Sequence, residues 1–249
     1  MNTTQEVFDA CRIEGNNVYL PQQLDRKLYE QVNKALVGIG GKWNRSAKAH
    51  VFPSDPSKLL GRVKEGEKIN LKKDFQFFET PDDIADELVR LAFEVPYQIG
   101  RILEPSAGQG AIIDAIHRKD PDIKVWCFEL MGTNSQILKD KYTEDQIGLY
   151  RESNFLNTKN FDGYSMIIAN PPFTKNQDID HIMHMYKCLE PGGKLVSIAS
   201  NHWAESSNKK ETEFQEWLYE KQGTVLDIPK GSFKSSGTLV GGSIIIINK

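Results

Sequence analysis

RILEPSAGQGAIIDAI, residues 101–116, begins as an apolar strand, breaks into a loop of small residues and leaves as a helix. Only small side chains at Ser106, Ala107, Gly108 and Gly110 let a ligand lie against the backbone beside a helix N-terminus. The loop is not a P-loop, because no Gly-Lys-Ser/Thr follows. It also departs from the dinucleotide fingerprint, since Ile113 stands where the third glycine belongs.

The pattern around this unit is an alternation. The stretch 81–95 (PDDIADELVRLAFEV) reads as a helix with Pro81 at its start and acids in its first turn, as the helix dipole prefers. RILEP, KVWCFEL, IGLYRES, YSMIIAN, GKLVSIAS, TVLDIP and GGSIIIINK read as strands. GAIIDAIHRK, GTNSQILKDKY, DIDHIMHMYKCLE and KKETEFQEWLYEKQ read as the helices between them. Strands alternating with helices predict an α/β fold, a mostly parallel sheet with helices on both faces, and a ligand at the carboxyl ends of the strands.

The first 70 residues follow another pattern. NVYL (17–20) reads as a short strand. Residues 22–38 read as a helix with Leu24, Leu28, Val32 and Leu36 on one face, stopped by GIGG. KWNRSAKAHVF (42–52) reads as a hairpin turning at 44–46, and SDPSKLLGRVKEGEKIN as a polar connection. A small α+β appendage over 1–70 and a second domain over 74–249 are therefore expected.

The chain has 249 residues, 39% hydrophobic and 26% charged, with a net charge of −3, which is ordinary for a globular protein. Thirteen Lys and Arg stand against eight Asp and Glu in residues 1–73, and the remainder is acidic. A basic front on an acidic body hints at a polyanionic partner. No apolar run reaches the roughly 20 residues of a membrane span, and the N-terminus lacks a signal pattern. Cys11, Cys127 and Cys188 fit no zinc or CxxC pattern, so reduced thiols in a cytoplasmic protein are expected, with Cys127 in a core strand. His181 and His184 lie three apart on a predicted helix without an acidic or Cys partner at ligand spacing, so no metal is expected.

Two further stretches carry chemistry. Glu129 ends the strand after the Gly loop, about 20 residues on, where an acid accepts hydrogen bonds from ribose hydroxyls. IIANPPFTK (167–175) ends a buried strand with Asn170, Pro171, Pro172 and Phe173. Asn170 offers an acceptor oxygen, Pro171 a carbonyl of fixed direction, and Phe173 a flat ring. Two acceptors and a stacking face suit a planar NH₂ group.

EPSAGQG (Glu104–Gly110) together with NPPF resembles the class I S-adenosylmethionine-dependent methyltransferases of the amino-group type, and within them the compact gamma-type DNA adenine-N6 enzymes. FFETP (77–81) is similar to the motif that precedes the Gly loop in that family, which implies that Phe78, Glu79, Thr80 and Pro81 cover the methionine end of the cofactor. The resemblance further implies a Rossmann-like seven-stranded sheet closed by a C-terminal antiparallel hairpin. It implies cofactor contacts from Glu104, Pro105, Ser106, Ala107, Gly108, Gly110, Glu129, Leu130, Asn154, Phe155 and Asn170. In SNFLN (153–157), Asn154 stands where the family carries Asp. LDIPKGSFKSSGTLVGGSIIII resembles the closing hairpin whose aromatic, here Phe233, stacks with Phe173 on a flipped base. No Pro-Cys pair is present, which argues against cytosine-C5 chemistry.

The resemblance implies a large recognition domain after the catalytic core in sequence-specific members, and none is expected here after SIIIINK. Recognition is then expected from a partner chain or self-association, from loops such as NHWAESSNKKETE (201–213) with His202 and Trp203, or from the N-terminal hairpin. In that hairpin Lys42, Arg45 and Lys48 would meet phosphates and Trp43 would stack. DNA is the expected partner. The alternatives are RNA (adenine N6 or guanine N2) or a protein glutamine as methyl acceptor, and a module that binds cofactor or nucleic acid without turnover.

Overall fold

The computed structural model describes residues 3–21, 23–52, 55–69, 79–94, 100–159, 161–234 and 241–249. The chain divides into two compact units, residues 1–77 and 78–249.

In the first unit, β1 (Arg12–Glu14), β2 (Asn17–Tyr19), β3 (Lys42–Asn44) and β4 (Ala49–Val51) form an antiparallel sheet in the order β1-β2-β4-β3. Helix α1 (Thr4–Ala10) is capped by Thr3, and α2 (Arg26–Gly38) by Asp25, whose Oδ1 accepts from the Leu28 amide at 3.0 Å. Leu28, Val32 and Leu36 bury the expected face of α2. The stretch read as a polar connection instead holds helix α3 (Ser57–Lys64). Its Leu59, Leu60 and Val63 make a narrow stripe that joins Val7, Phe8 and Phe52 in the core of this unit. The charges flanking that stripe mask it in the sequence.

The second unit opens with α4 (Asp82–Ala92). The chain continues through β5 (Ile102–Glu104), α5 (Ala111–Lys119), β6 (Val125–Glu129), α6 (Gly132–Lys141), β7 (Ile147–Arg151) and β8 (Tyr164–Ala169). It ends with α7 (Gln177–Cys188), β9 (Leu189–Ser200), a short α8 (His202–Glu205), α9 (Lys209–Glu220), β10 (Thr224–Ile228) and β11 (Gly242–Asn248). The seven strands lie in the order β10-β11-β9-β8-β5-β6-β7. β7, β6, β5, β8 and β9 run parallel, and β10 and β11 form an antiparallel hairpin at one edge.

Side chains that alternate along each strand feed two cores. Ile102, Cys127, Met166, Ile168 and Ile198 face a cluster that includes Leu88 and Ala92 of α4 and Ile112 and Ile116 of α5. Leu103, Phe128, Ile167, Ala169 and Ala199 face the other, with Ile179 and Ile182 of α7 and Phe214 of α9. Cys127 is fully buried in its strand. β9 begins earlier than the sequence suggests, at Leu189, with an irregularity in its pairing to β8. No helix among the described residues is long and apolar enough to cross a membrane.

The strand order fixes where a ligand can sit. From β5 the chain moves outward to β6 and β7, then returns to β8 on the other side of β5. β5 and β8 are parallel neighbours, with Leu103 opposite Ile167. Their carboxyl ends flank the point where the strand order reverses, which is where open α/β sheets leave a crevice.

Candidate functional site

The Gly loop leaves β5 at that point. Gly108 and Gly110 have φ of +56° and +89°, a left-handed backbone that glycine adopts without strain. A Cβ at Gly110 would run into the Tyr142 ring. Tyr142 Oη instead donates toward the Gly110 carbonyl at 2.9 Å and Asp114 Oδ1 at 2.8 Å, and Lys141 pairs with the same carboxylate. The loop is thus propped from α5 and α6.

Glu129 ties the loop to the next strand. Its Oε2 accepts from the Gly108 amide at 2.7 Å and its Oε1 from the Met131 amide. Burial pushes the Glu129 carboxyl up to about 7, against these amide hydrogen bonds, which favour the charged form. Glu104 is fully enclosed at the end of β5. Burial, together with the charges of Glu129 and Asp114, raises it well above the usual carboxylate range. Glu104 Oε2 and Ser106 Oγ are both buried without a hydrogen-bond partner among the described residues. Buried polar atoms ordinarily have partners, so these two are unused capacity at the mouth of the crevice.

At the tip of β8 the Asn170 side chain is fixed from one side. Its Nδ2 donates to Thr80 Oγ1 at 3.0 Å, while its Oδ1 is buried with no partner among the described residues. Thr80 lies just before α4, so the segment preceding the Gly loop in sequence meets the strand tip that follows it. Pro171 is buried and Pro172 and Phe173 are half-buried, with Phe173 packing against the core on the α4/α5 face. A cleft of about 610 Å³ opens on the far side of Thr80, between the starts of α4 and α5 and the side of α6, lined by Glu79, Thr80, Pro81, Gln109, Asp114 and Lys141 among others; residues 170–173 do not line it.

The other residues expected at the site differ in their placement. Phe78 lies outside the described residues. Leu130 is 49% exposed beside the loop, as an apolar cofactor contact would be. Asn154 is exposed, and its Oδ1 caps a turn at Phe155–Asn157 by accepting from the Leu156 amide at 2.9 Å. Phe155 is a core residue, packed against Phe128 with ring centroids 5.4 Å apart, so its ring is not turned to the crevice. Phe233 is only 5% exposed and packs in the cluster on the α4/α5 face. Burying a Phe ring is worth about 1.5–3 kcal/mol, and that gain holds it away from any stacking role in this conformation.

Lys42, Arg45 and Lys48 are exposed on the hairpin of the first unit, and none forms an ion pair with another described residue. Trp43 is 44% exposed, with its ring held against buried His50 at 5.2 Å. Tyr142, Asp114 and Lys141 were not legible as loop supports, because nothing in the sequence brings the end of α6 to the start of α5. Among the described residues no group of three His, Cys, Asp or Glu could hold a metal ion.

The residues fit S-adenosylmethionine. A left-handed glycine loop leaves β5 at the switch point, an acid ends the adjacent strand, and buried polar atoms there have no partner among the described residues. Residues 77–224 match the methyltransferase small domain family. The fold is similar to that of the type I restriction-modification methyltransferase subunit from Streptococcus thermophilus (TM-score 0.59, 18% identity, 78% of this chain and 50% of that one). A modification subunit of a putative type I restriction enzyme from Vibrio vulnificus is also similar (TM-score 0.56, 15% identity, 90% and 52%). So is a putative class I S-adenosylmethionine-dependent methyltransferase from Listeria monocytogenes (TM-score 0.54, 15% identity, 78% and 66%). The chain spans about half the length of the two restriction-modification subunits. No curated protein matches it. With the family matched over more than half its length, the chain belongs to the methyltransferase small domain family.

Proposed function

We propose that this chain methylates the exocyclic N6 of adenine in DNA. The observation that carries the reading is Asn170 Oδ1, a buried acceptor without a partner among the described residues, at the switch point of the sheet. S-adenosylmethionine, the cofactor, supplies a methyl group activated by its sulfonium.

An aryl amine is a poor nucleophile because its lone pair is delocalised into the ring. If Asn170 Oδ1 and the Pro171 carbonyl accept the two amine hydrogens, the lone pair localises on nitrogen and is directed away from both N–H bonds, out of the plane of the base. Asn170 and Pro171 would hold the amine nitrogen for the methyl group that S-adenosylmethionine would supply, and the surplus proton left on nitrogen would pass through these acceptors to solvent. The protein's part is orientation and electrostatics, so no strong base is needed before transfer. Phe173 offers a face to the base. The basic hairpin of the first unit offers phosphate contacts. Two proteins of similar fold are restriction-modification subunits, which is in keeping with a DNA substrate.

The test is incubation of the purified protein with methyl-labelled S-adenosylmethionine and, separately, duplex DNA, RNA and a protein extract, followed by digestion and identification of the product. Label in N6-methyladenine from DNA supports the reading. Label confined to RNA or to protein glutamine rejects the substrate and keeps the amino-group chemistry. Cofactor binding without transfer to any of the three rejects the activity.

A further inference from the structure

The segment behind NPPF has an unusual backbone. Lys175 and Asn176 both have φ of +57°, the one consecutive left-handed pair of non-glycine residues among those described. The conformation is strained for Lys175 and tolerated by Asn176, and a strained turn persists only when neighbours hold it. The holder comes from α9. Asn176 Nδ2 donates to Glu211 Oε1 at 2.6 Å, and Lys210 Nζ donates to the Asn176 carbonyl at 2.8 Å and to Asp180 Oδ2 at 2.7 Å.

Glu211 is 2% exposed, and Asn208 Nδ2 and His202 Nε2 approach the same oxygen at 3.3 and 3.6 Å. One step further on, Asp178 Oδ2 accepts from both the amide and the hydroxyl of Ser200, at 2.8 Å each. The chain between β8 and α7 is therefore fastened at Asn170 by Thr80, at Asn176 by Glu211 and at Asp178 by the tip of β9. Pro172 and Phe173 lie between the first two fastenings.

We propose that Glu211 is a positioning residue for methyl transfer: its clasp on Asn176 holds the left-handed turn that sets the direction of the Pro171 carbonyl and the Phe173 ring. The inference rests on residues 170–173 being the site of transfer. Glu211 occupies the third position of α9, where an acid also serves as a helix cap. The two roles separate at Asn176, because a helix cap is indifferent to the residue there.

The experiment is steady-state methylation of random-sequence duplex DNA by the whole chain, with cofactor affinity measured by calorimetry and amide hydrogen exchange followed over 173–177. Glu211→Ala should lower kcat by roughly tenfold or more, since a misplacement of about 1 Å can cost as much as a hundredfold. KM for DNA and cofactor affinity should stay within about twofold, and the Asn176 amide, which bonds the Phe173 carbonyl at 3.1 Å, should exchange faster. Glu211→Gln keeps an acceptor for Asn176 and should retain activity.

Asn176→Gly, which adopts the left-handed turn at no steric cost, should restore most of kcat in the Glu211→Ala background. Asn176→Ala alone should lower kcat, and this variant decides the matter if Glu211→Ala does not fold. Unchanged kcat in Glu211→Ala, or no recovery in the double variant, overturns the clasp. If Asn170→Ala in the same assay keeps full transfer, the reading of the site has failed instead.

Discussion

Asn170 and Thr80, ninety residues apart in the chain, meet through a 3.0 Å hydrogen bond from Asn170 Nδ2 to Thr80 Oγ1. The bond takes up Nδ2. With Nδ2 engaged, Oδ1 is the end left buried and open, and an acceptor is what an amine substrate needs. Asn170→Ala is expected to lower kcat by at least about a hundredfold, as loss of a preorganised charge-stabilising contact does. Cofactor affinity should change little. Collapse of that affinity with turnover preserved would show that Asn170 serves the cofactor rather than the amine. Thr80→Val, which leaves Nδ2 without its acceptor, should show a weaker form of the same kcat loss.

Glu129 gives the protein a pH dependence whose sign follows from burial. Its carboxyl titrates at about 7 in the fold, above its ordinary 4.5. The folded state therefore binds this proton more tightly than the unfolded state. Its contribution to stability is full below about 4.5 and is lost as pH rises toward and through about 7. Against Glu129→Gln, which does not titrate, the wild type should lose on the order of 3 kcal/mol of relative stability between pH 5 and 8. Urea midpoints at the two pH values measure it, and a constant difference contradicts it. If the carboxylate accepts ribose hydroxyls, cofactor affinity should also rise with pH through the same window, and a flat profile would remove Glu129 from that role.

The two glycine environments should answer a single methyl group in opposite ways. Gly110 is left-handed and faces the Tyr142 ring, so Gly110→Ala adds a left-handed penalty of about 1–2 kcal/mol to a steric one. Melting temperature and cofactor affinity should both fall. Gly61 sits inside α3, where a Cβ meets nothing within 4 Å. Gly61→Ala should stabilise by up to about 1 kcal/mol through helix propensity alone. Equal effects at both positions would mean that the Gly loop is not held by Tyr142.

What the sequence disclosed follows from range. Strand alternation is local, so the pairs Ile102/Leu103 and Ile167/Ile168 announce a sheet covered on both faces, and the β5 loop and β8 tip announce its ligand end. Glu211 is different. It reads as an ordinary acid in the first turn of a helix, and only the fold sets it against Asn176. Phe233 and Phe155 show the reverse failure, since a motif can bring an aromatic to the right place in the chain while its apolar area is taken up by the core. Helix α3 was hidden because Leu59, Leu60 and Val63 among the seven charges of residues 54–70 look solvated until Phe8 and Phe52 are known to wait beneath them.

The hairpin of the first unit supplies a test of nucleic-acid binding that does not depend on chemistry. Lys42, Arg45 and Lys48 project from its surface without ion-pair partners among the described residues, and Lys48 holds a left-handed turn position with φ of +51°. If all three meet phosphates, each releases counterions on binding, and the slope of log affinity against log salt should shrink by about 3 when all are replaced by Glu. The loss should be uniform across DNA sequences, because phosphate contacts position and do not specify. Trp43→Ala should cost single-stranded more than duplex DNA if its half-exposed ring stacks on bases, by about 1–3 kcal/mol. Fluorescence anisotropy at several salt concentrations reads both effects, with cofactor affinity measured alongside to confirm an intact second unit. A salt slope that does not move in the triple variant would take the hairpin out of the binding surface and leave its charges as a solvated face.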